Sequence, residues 1–129
     1  MRALLDTQCW LWMRSAPERL TVRARRFVSA PQTDLFLSAV SIWELAIKMS
    51  IGKLRLPEPL SEYVTSRIHD DGIVLLAVQP THAMRVAELP LHHRDPFDRM
   101  LVAQAQVEGL SLVSADRELA KYDVELIRA

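Results

Sequence analysis

Short runs of apolar residues alternate along this chain with longer segments in which apolar positions recur at helical spacing. The short runs predict strands at residues 3–6, 34–38, 73–76, 110–114 and 125–127. The longer segments predict helices at residues 7–13, 22–29, 40–51, 60–69, 80–88 and 96–108. This alternation predicts βαβ units, and the nearly continuous apolar strands indicate a sheet covered on both faces. We therefore expect an α/β fold in three layers, with helices flanking a central, mainly parallel β-sheet.

Composition fits one globular domain over residues 1–129. Of the 129 residues 50% are hydrophobic, and 16 Lys and Arg offset 16 Asp and Glu to a formal net charge of +0. This balance excludes a disordered chain and a polycationic nucleic-acid binder. The single cysteine, Cys9, excludes an internal disulfide and a thiolate zinc site. The longest apolar run, residues 73–78, is far shorter than the roughly 20 residues that span a bilayer. We predict a cytoplasmic protein without membrane contact.

Acidic residues follow two of the predicted strands. Asp6 ends the first strand, and Ser114 and Asp116 follow the fourth. In parallel sheets ligands bind outside the carboxyl ends of the strands, where the strand order reverses, so we expect these residues at one edge. The alternative is that Asp6 and Asp116 only cap the helices that follow them.

Glu44 lies on a predicted helix with two apolar stripes. At about 100° per residue it falls in the middle of the stripe formed by residues 40, 47 and 51, and residues 42, 45, 46 and 49 form the opposite stripe. Both faces of this helix are therefore predicted to be buried. The alternative role for Glu44 is an ion pair with Lys48, which contributes only about 0.3–0.5 kcal/mol on an exposed helix.

Asp95 and Asp98 begin the next acidic helix. Asp95 followed by Pro96 is typical of a helix start, which favours a capping role for Asp95. Asp98 shares its helix face with apolar residues three, four and seven positions later, so its side chain is predicted to point toward the core.

Four segments thus offer carboxylates for one cleft: Asp6, Glu44, Asp98 and Asp116. Two carboxylates about 5 Å apart repel by roughly 3 kcal/mol at an effective dielectric constant near 20, so such a cluster requires a cation or bound protons. Oxygen ligands without Cys or His at ligand spacing favour Mg²⁺ or Mn²⁺. Such an ion generates hydroxide and stabilises charge on a phosphodiester, which is nuclease chemistry. His92 and His93 are adjacent in a predicted loop, so we do not expect them to bind one metal ion together.

With these residues in place, the sequence resembles the PIN-domain ribonucleases, and among them the VapC-type toxins of toxin–antitoxin pairs. The resemblance extends over nearly the whole chain. Its segments are LLDT at 4–7, SAVSIWELAIK at 38–48, GKLRLP at 52–57, LPLHHRDPFDRMLVAQA at 89–105 and LVSADREL at 112–119.

The resemblance implies a PIN-like fold, endonucleolytic cleavage of RNA and an acidic site for Mg²⁺ or Mn²⁺. It implies catalytic roles for Asp6, Glu44, Asp98 and Asp116, of which we expect Asp6, Asp98 and Asp116 to hold the metal. The third acid is either Asp95 or Asp98, and helical facing favours Asp98. We expect outer-shell or substrate contacts from Asp95, Ser114, Thr7 and Arg99, with Arg99 binding phosphate or pairing with a neighbouring aspartate.

The family resemblance also implies a homodimer and a cognate antitoxin protein that blocks the site. Two alternatives remain. A phospho-receiver domain has a similar length and acids at its strand ends, but it requires a paired acid where Thr7 follows Asp6 and a Lys where Arg128 follows the last strand. A non-catalytic, dimeric binding module would use its acids only as helix caps.

Overall fold

A computed structural model describes all 129 residues of the chain. The five strands are β1 Arg2–Leu5, β2 Asp34–Ser38, β3 Val74–Leu76, β4 Ser111–Ser114 and β5 Leu126–Arg128. The six α-helices are α1 Thr7–Ser15, α2 Val22–Ser29, α3 Ala39–Ser50, α4 Leu60–Asp71, α5 Pro80–Val86 and α6 Pro96–Glu108. Two short 3-10 helices, which were not predicted, cover Pro17–Arg19 and Arg117–Lys121.

All five strands are parallel and lie in the order β3-β2-β1-β4-β5. The central strand β1 pairs with β2 on one side and with β4 on the other, so the strand order reverses between β1 and β4. The predicted parallel α/β sheet is confirmed. Receiver domains have the strand order 2-1-3-4-5, and the phospho-receiver alternative is therefore wrong.

Helices cover both faces of the sheet because alternate residues of each strand point in opposite directions. Ala3 and Leu5 of β1 enter a core that includes buried residues of α1, α2 and α4, whereas Leu4 enters a second core built mainly on α6. The three predicted layers are therefore present. The helix α3 contributes to both cores, with Leu45 in the first and Val40 in the second.

The prediction that both faces of α3 are buried is only partly right. Val40 and Leu45 are buried, but Ile51 is 58% exposed and lies just beyond the helix. Ala46, assigned to the opposite stripe, is also exposed. Apolar periodicity marks both stripes, but it does not determine how far the neighbouring helices extend over them.

The helix α6 ends at Gly109, whose φ of 67° lies in the left-handed region that glycine adopts without strain. The chain then enters β4 directly, which brings the end of β4 back to the site edge of the sheet. This longest helix has 13 residues, and no helix combines the length and the apolar character needed to cross a bilayer.

Candidate active site

Asp6 and Asp116 are connected through Ser114 at the point where the strand order reverses. The Asp6 backbone N–H donates to the Val113 carbonyl oxygen at 3.0 Å, which places Asp6 beside the end of β4. Ser114 Oγ donates to Asp6 Oδ2 at 2.5 Å and accepts a hydrogen bond from the Asp116 backbone N–H at 3.1 Å. One buried hydroxyl group therefore fixes both acidic residues relative to each other.

Both of these aspartates also cap helices. Asp6 Oδ1 accepts the Cys9 backbone N–H at 2.7 Å, and Asp116 Oδ1 accepts the Glu118 backbone N–H at 3.0 Å. In each carboxylate the capping bond uses one oxygen, and the other oxygen contacts a side chain of the site. Each aspartate can therefore cap a helix and still present a carboxylate oxygen to the site.

Asp6 is 8% exposed, and this burial raises the pKa of its carboxyl group because the charged form loses its hydration. Hydrogen bonds from Ser114 and from the Cys9 backbone oppose that rise, and the negative charge of Glu44 adds to it. The carboxylate of Asp6 is thus held in place but insufficiently stabilised as an anion.

Glu44 reaches the same edge from α3. Its Oε1 accepts a hydrogen bond from Thr7 Oγ1 at 2.7 Å, and its Oε2 lies 2.9 Å from Lys48 Nζ. The side chain of Glu44 is 13% exposed, whereas that of Lys48 is 42% exposed. The ion pair considered as an alternative is therefore formed. Its cation faces solvent, and Thr7, directly after Asp6, connects Glu44 to the first acid.

Asp98 projects into the cleft from the first turn of α6. Asp95 caps that helix by accepting the backbone N–H groups of Phe97 and Asp98, at 2.8 and 3.2 Å. Desolvation and the negative charges of Asp95, Asp6 and Glu44 raise the pKa of Asp98 to about 7, although His93 opposes the rise. Because charge interactions weaken with distance, the effect of Asp6 and Glu44 on this pKa indicates that both lie near Asp98.

His93 is a site residue that the sequence reasoning missed. Its Nε2 lies 2.6 Å from Asp116 Oδ2 and 3.5 Å from Asp98 Oδ2. One ligand atom from each of His93, Asp98 and Asp116 lies within 4.8 Å of the others, a spacing that suits a metal ion. The segment carrying the family resemblance contains His93, but two adjacent histidines in a loop do not reveal which one points inward.

Arg99 does not pair with Asp95 or Asp98, which was one of the two roles predicted for it. Its guanidinium donates to the carbonyl oxygens of Pro90 and Val86, at 3.0 and 3.1 Å, and to Tyr122 Oη at 3.1 Å. The structure thus gives Arg99 contacts with the loop before α6. The sequence contains no signal for these contacts, because two of them form with backbone atoms and the third with a tyrosine 23 residues away in the chain.

The structure brings Asp6, Glu44, Asp98 and Asp116 to one edge of the sheet, with Thr7, Ser114 and Asp95 bonded to or beside them. The site offers an excess of carboxylate oxygens, and the raised pKa of Asp98 shows that its charge is poorly compensated. A divalent cation would supply that compensation. Oxygen-rich sites with few nitrogen donors suit hard ions.

Comparison with known proteins identifies the family of this chain. The PIN domain family profile matches residues 3–125. Ribonuclease VapC22 of Mycobacterium tuberculosis is 28% identical over 120 residues, covering 92% of this chain and 90% of that protein. Ribonuclease VapC16 of the same organism is 40% identical over 58 residues, which span 45% of this chain and only 41% of its own length.

The fold is also that of a known structure. One similar structure is the crystal structure of VapBC2 from Rickettsia felis bound to a DNA fragment from their promoter. One of its chains superposes on this chain with a TM-score of 0.73 at 14% sequence identity. The superposition covers 100% of this chain and 99% of that one. The resemblance noted in the sequence is thereby confirmed, and this chain belongs to the PIN-domain family.

Proposed function

We propose that this protein is an endoribonuclease that depends on Mg²⁺ or Mn²⁺ and acts in the cytoplasm as the toxin of a toxin–antitoxin pair. The observation that carries the proposal is the convergence of carboxylates from β1, α3, α6 and the turn after β4 at the reversal of strand order. The names of the two curated relatives, both called VapC ribonucleases, support RNA as the substrate.

In this proposal Asp6, Asp98 and Asp116 hold the metal, and Glu44 completes the catalytic acids. A bound divalent cation would lower the pKa of a water molecule and stabilise the negative charge that develops on the scissile phosphate. Ser114 keeps Asp6 and Asp116 in register through its two hydrogen bonds. Thr7 and Lys48 orient the two oxygens of Glu44. Asp95 supports Asp98 by capping the first turn of α6.

The proposal is tested with the purified chain and a labelled single-stranded RNA. We expect internal cleavage with MgCl₂ or MnCl₂ and none in EDTA. Asp6→Asn should lower the cleavage rate by at least about 100-fold, because it removes the negative charge with which Asp6 would hold the metal ion. Asp123→Asn, at an exposed aspartate in the turn before β5, is the matched control and should cleave like the wild type.

Full cleavage in EDTA would contradict metal dependence. Full cleavage by Asp6→Asn, with the control unchanged, would contradict the site. No cleavage by any form, under all metals, would favour the non-catalytic binding module in which the acids serve only as caps.

We also propose a cognate antitoxin protein and a homodimer as the partners of this chain. The proposal of an antitoxin is supported by structural neighbours, the VapBC structures from Rickettsia felis and Salmonella typhimurium. Co-expression with the neighbouring reading frame should yield a stable complex with suppressed RNA cleavage. Sedimentation of the isolated chain should give twice the mass of 14.7 kDa. A monomer at micromolar concentration would contradict the homodimer.

A further inference from the structure

His93 lies in the loop between α5 and α6 and contacts two of the proposed metal ligands at once. Its side chain is 18% exposed, and Nε2 is 2.6 Å from Asp116 Oδ2 and 3.5 Å from Asp98 Oδ2. A nitrogen in this position has two possible roles. It either binds the cation directly, or it donates a proton to Asp116 and orients that carboxylate.

The other ring nitrogen decides between these roles. The Asp95 backbone N–H donates to His93 Nδ1 at 3.0 Å, so Nδ1 acts as an acceptor and carries no proton. A neutral imidazole has one N–H, which must then be on Nε2. That N–H points at Asp116 Oδ2, so the geometry is that of a hydrogen-bond donor. A nitrogen that binds a metal ion carries no proton.

The loop that carries His93 is held independently of the acids. The His93 backbone N–H donates to Tyr122 Oη at 2.9 Å, and Arg99 Nη1 donates to the same oxygen at 3.1 Å. Arg99 also donates to the carbonyl oxygens of Pro90 and Val86, on the chain leading into the loop. Backbone and ring are therefore both fixed, and the imidazole is preorganised against Asp116.

We infer that His93 is a positioning residue, which donates Nε2–H to Asp116 and keeps that carboxylate turned toward Asp98, without binding the cation itself. This inference rests on the proposed metal site. Its physical basis is that carboxylates which bind a metal need their own hydrogen bonds to hold a fixed orientation, and loss of such a bond typically lowers metal affinity by about 10–100-fold.

The first test measures Mn²⁺ affinity of the full chain by electron paramagnetic resonance titration. His93→Leu removes the donor, and His93→Gln retains an amide N–H at the same number of bonds from Cα as Nε2. We expect His93→Leu to bind Mn²⁺ about 10–100-fold more weakly and His93→Gln to remain within about threefold of the wild type. His69→Leu, at an 88% exposed histidine, is the matched control and should bind like the wild type.

The second test needs no variant and is therefore independent of any folding defect. Nitrogen-15 NMR of the wild-type chain should show His93 with its proton on Nε2, both in EDTA and in saturating MgCl₂. A proton on Nδ1 in the MgCl₂ spectrum would leave Nε2 without the proton that the inference requires, as direct ligation demands, and would overturn the inference. Unchanged or tighter Mn²⁺ binding by a folded His93→Leu, or failure of His93→Gln to restore affinity, would also overturn it.

These outcomes separate the inference from the proposed function. If the wild type binds Mn²⁺ with the expected dependence on His93 but cleaves no RNA, the positioning role holds and the nuclease proposal fails. If the wild type cleaves RNA while His93→Leu binds Mn²⁺ normally, the nuclease proposal holds and the positioning role fails.

Discussion

At the scale of single residues, the site consists of acids whose own hydrogen bonds do not fully stabilise their charge. Asp6 and Asp116 each use one oxygen for a helix cap, whereas the Asp98 carboxylate caps no helix and has His93 Nε2 beside it at 3.5 Å. The pKa of Asp98 is therefore raised to about 7 by desolvation and by its acidic neighbours. The protein itself therefore stabilises the charge of this carboxylate only poorly, and the proposed cation would compensate it.

This arrangement predicts how the stability of the metal-free protein depends on pH. Because folding raises the pKa of Asp98 from 3.8 to about 7, the protonated form favours the folded state. That contribution is complete below pH 4 and is lost as the pH rises to 7. The Asp98→Asn variant lacks this loss, so its free energy of unfolding should exceed that of the wild type increasingly as the pH rises from 4 to 7. Since one pKa unit corresponds to about 1.4 kcal/mol, the difference should reach up to about 4 kcal/mol.

The measurement is urea unfolding in EDTA at a series of pH values from 4 to 8, with Asp123→Asn as the control that should follow the wild type. Parallel stability curves for Asp98→Asn and the wild type would show that Asp98 is not desolvated beside the other acids.

Ser114 permits a second test at this scale. Ser114→Ala removes the donor to Asp6 and the acceptor for the Asp116 backbone, so both carboxylates lose their fixed orientation. We expect metal affinity to fall by about 10–100-fold. Ser111→Ala, on the same strand but bonded to the exposed Glu125, is the matched control. Isothermal titration with MnCl₂ compares the two variants, and equal affinities would contradict a role for Ser114.

At the scale of elements, α6 carries Asp98 and also supplies much of the second core. Leu101, Val102 and Ala103 are fully buried, one turn after the acid. The same helix thus positions the poorly solvated carboxylate of Asp98 and offsets the free-energy cost of its desolvation through apolar packing. Burial of aliphatic side chains contributes about 25 cal/mol per Å² of surface removed from water.

Leu101→Ala should lower the free energy of unfolding by about 2–5 kcal/mol, because it leaves a cavity in a fully buried position. Leu91→Ala, at a leucine that is 74% exposed, should change it by less than about 0.5 kcal/mol. Urea unfolding at pH 5 and pH 8 measures both effects. A loss below 1 kcal/mol for Leu101→Ala would contradict the packing assigned to α6.

At the scale of the whole molecule, the site exists because β1 and β4 are neighbours although more than 100 residues separate Asp6 from Ser114. A cation bound there would join segments from the beginning, middle and end of the chain. Such a ligand binds only the folded state and therefore stabilises the fold by mass action.

We expect Mn²⁺ at about 100 times its dissociation constant to raise the free energy of unfolding by about 2.7 kcal/mol. The same addition should leave Asp6→Asn nearly unchanged. Thermal unfolding in EDTA and in MnCl₂ provides the measurement, with CaCl₂ as a test of ion preference. Equal stabilisation of the wild type and Asp6→Asn would place the ion elsewhere.

The prediction of the elements from the sequence succeeded best where local signals are strong. The bounds of β2 and α6 were predicted as observed, because Pro96 and Gly109 mark the ends of α6 and a short apolar run marks β2. The predicted ends of α1 and α5 differ from the observed ends by two residues each, and the 3-10 helices were not predicted. These boundaries depend on tertiary packing, which the local pattern does not contain.

By itself, the sequence determined the alternation of strands and helices, the parallel sheet and the segments that carry the four acids, because periodicity, capping residues and βαβ connections act over short distances. Only the tertiary structure decided which partners these acids have. It turned His93 inward, directed Arg99 to backbone carbonyls and joined Thr7 to Glu44. The physical reason is that hydrogen bonds and charge interactions depend on distances of a few ångströms between residues far apart in the chain, and such distances exist only after the sheet has formed.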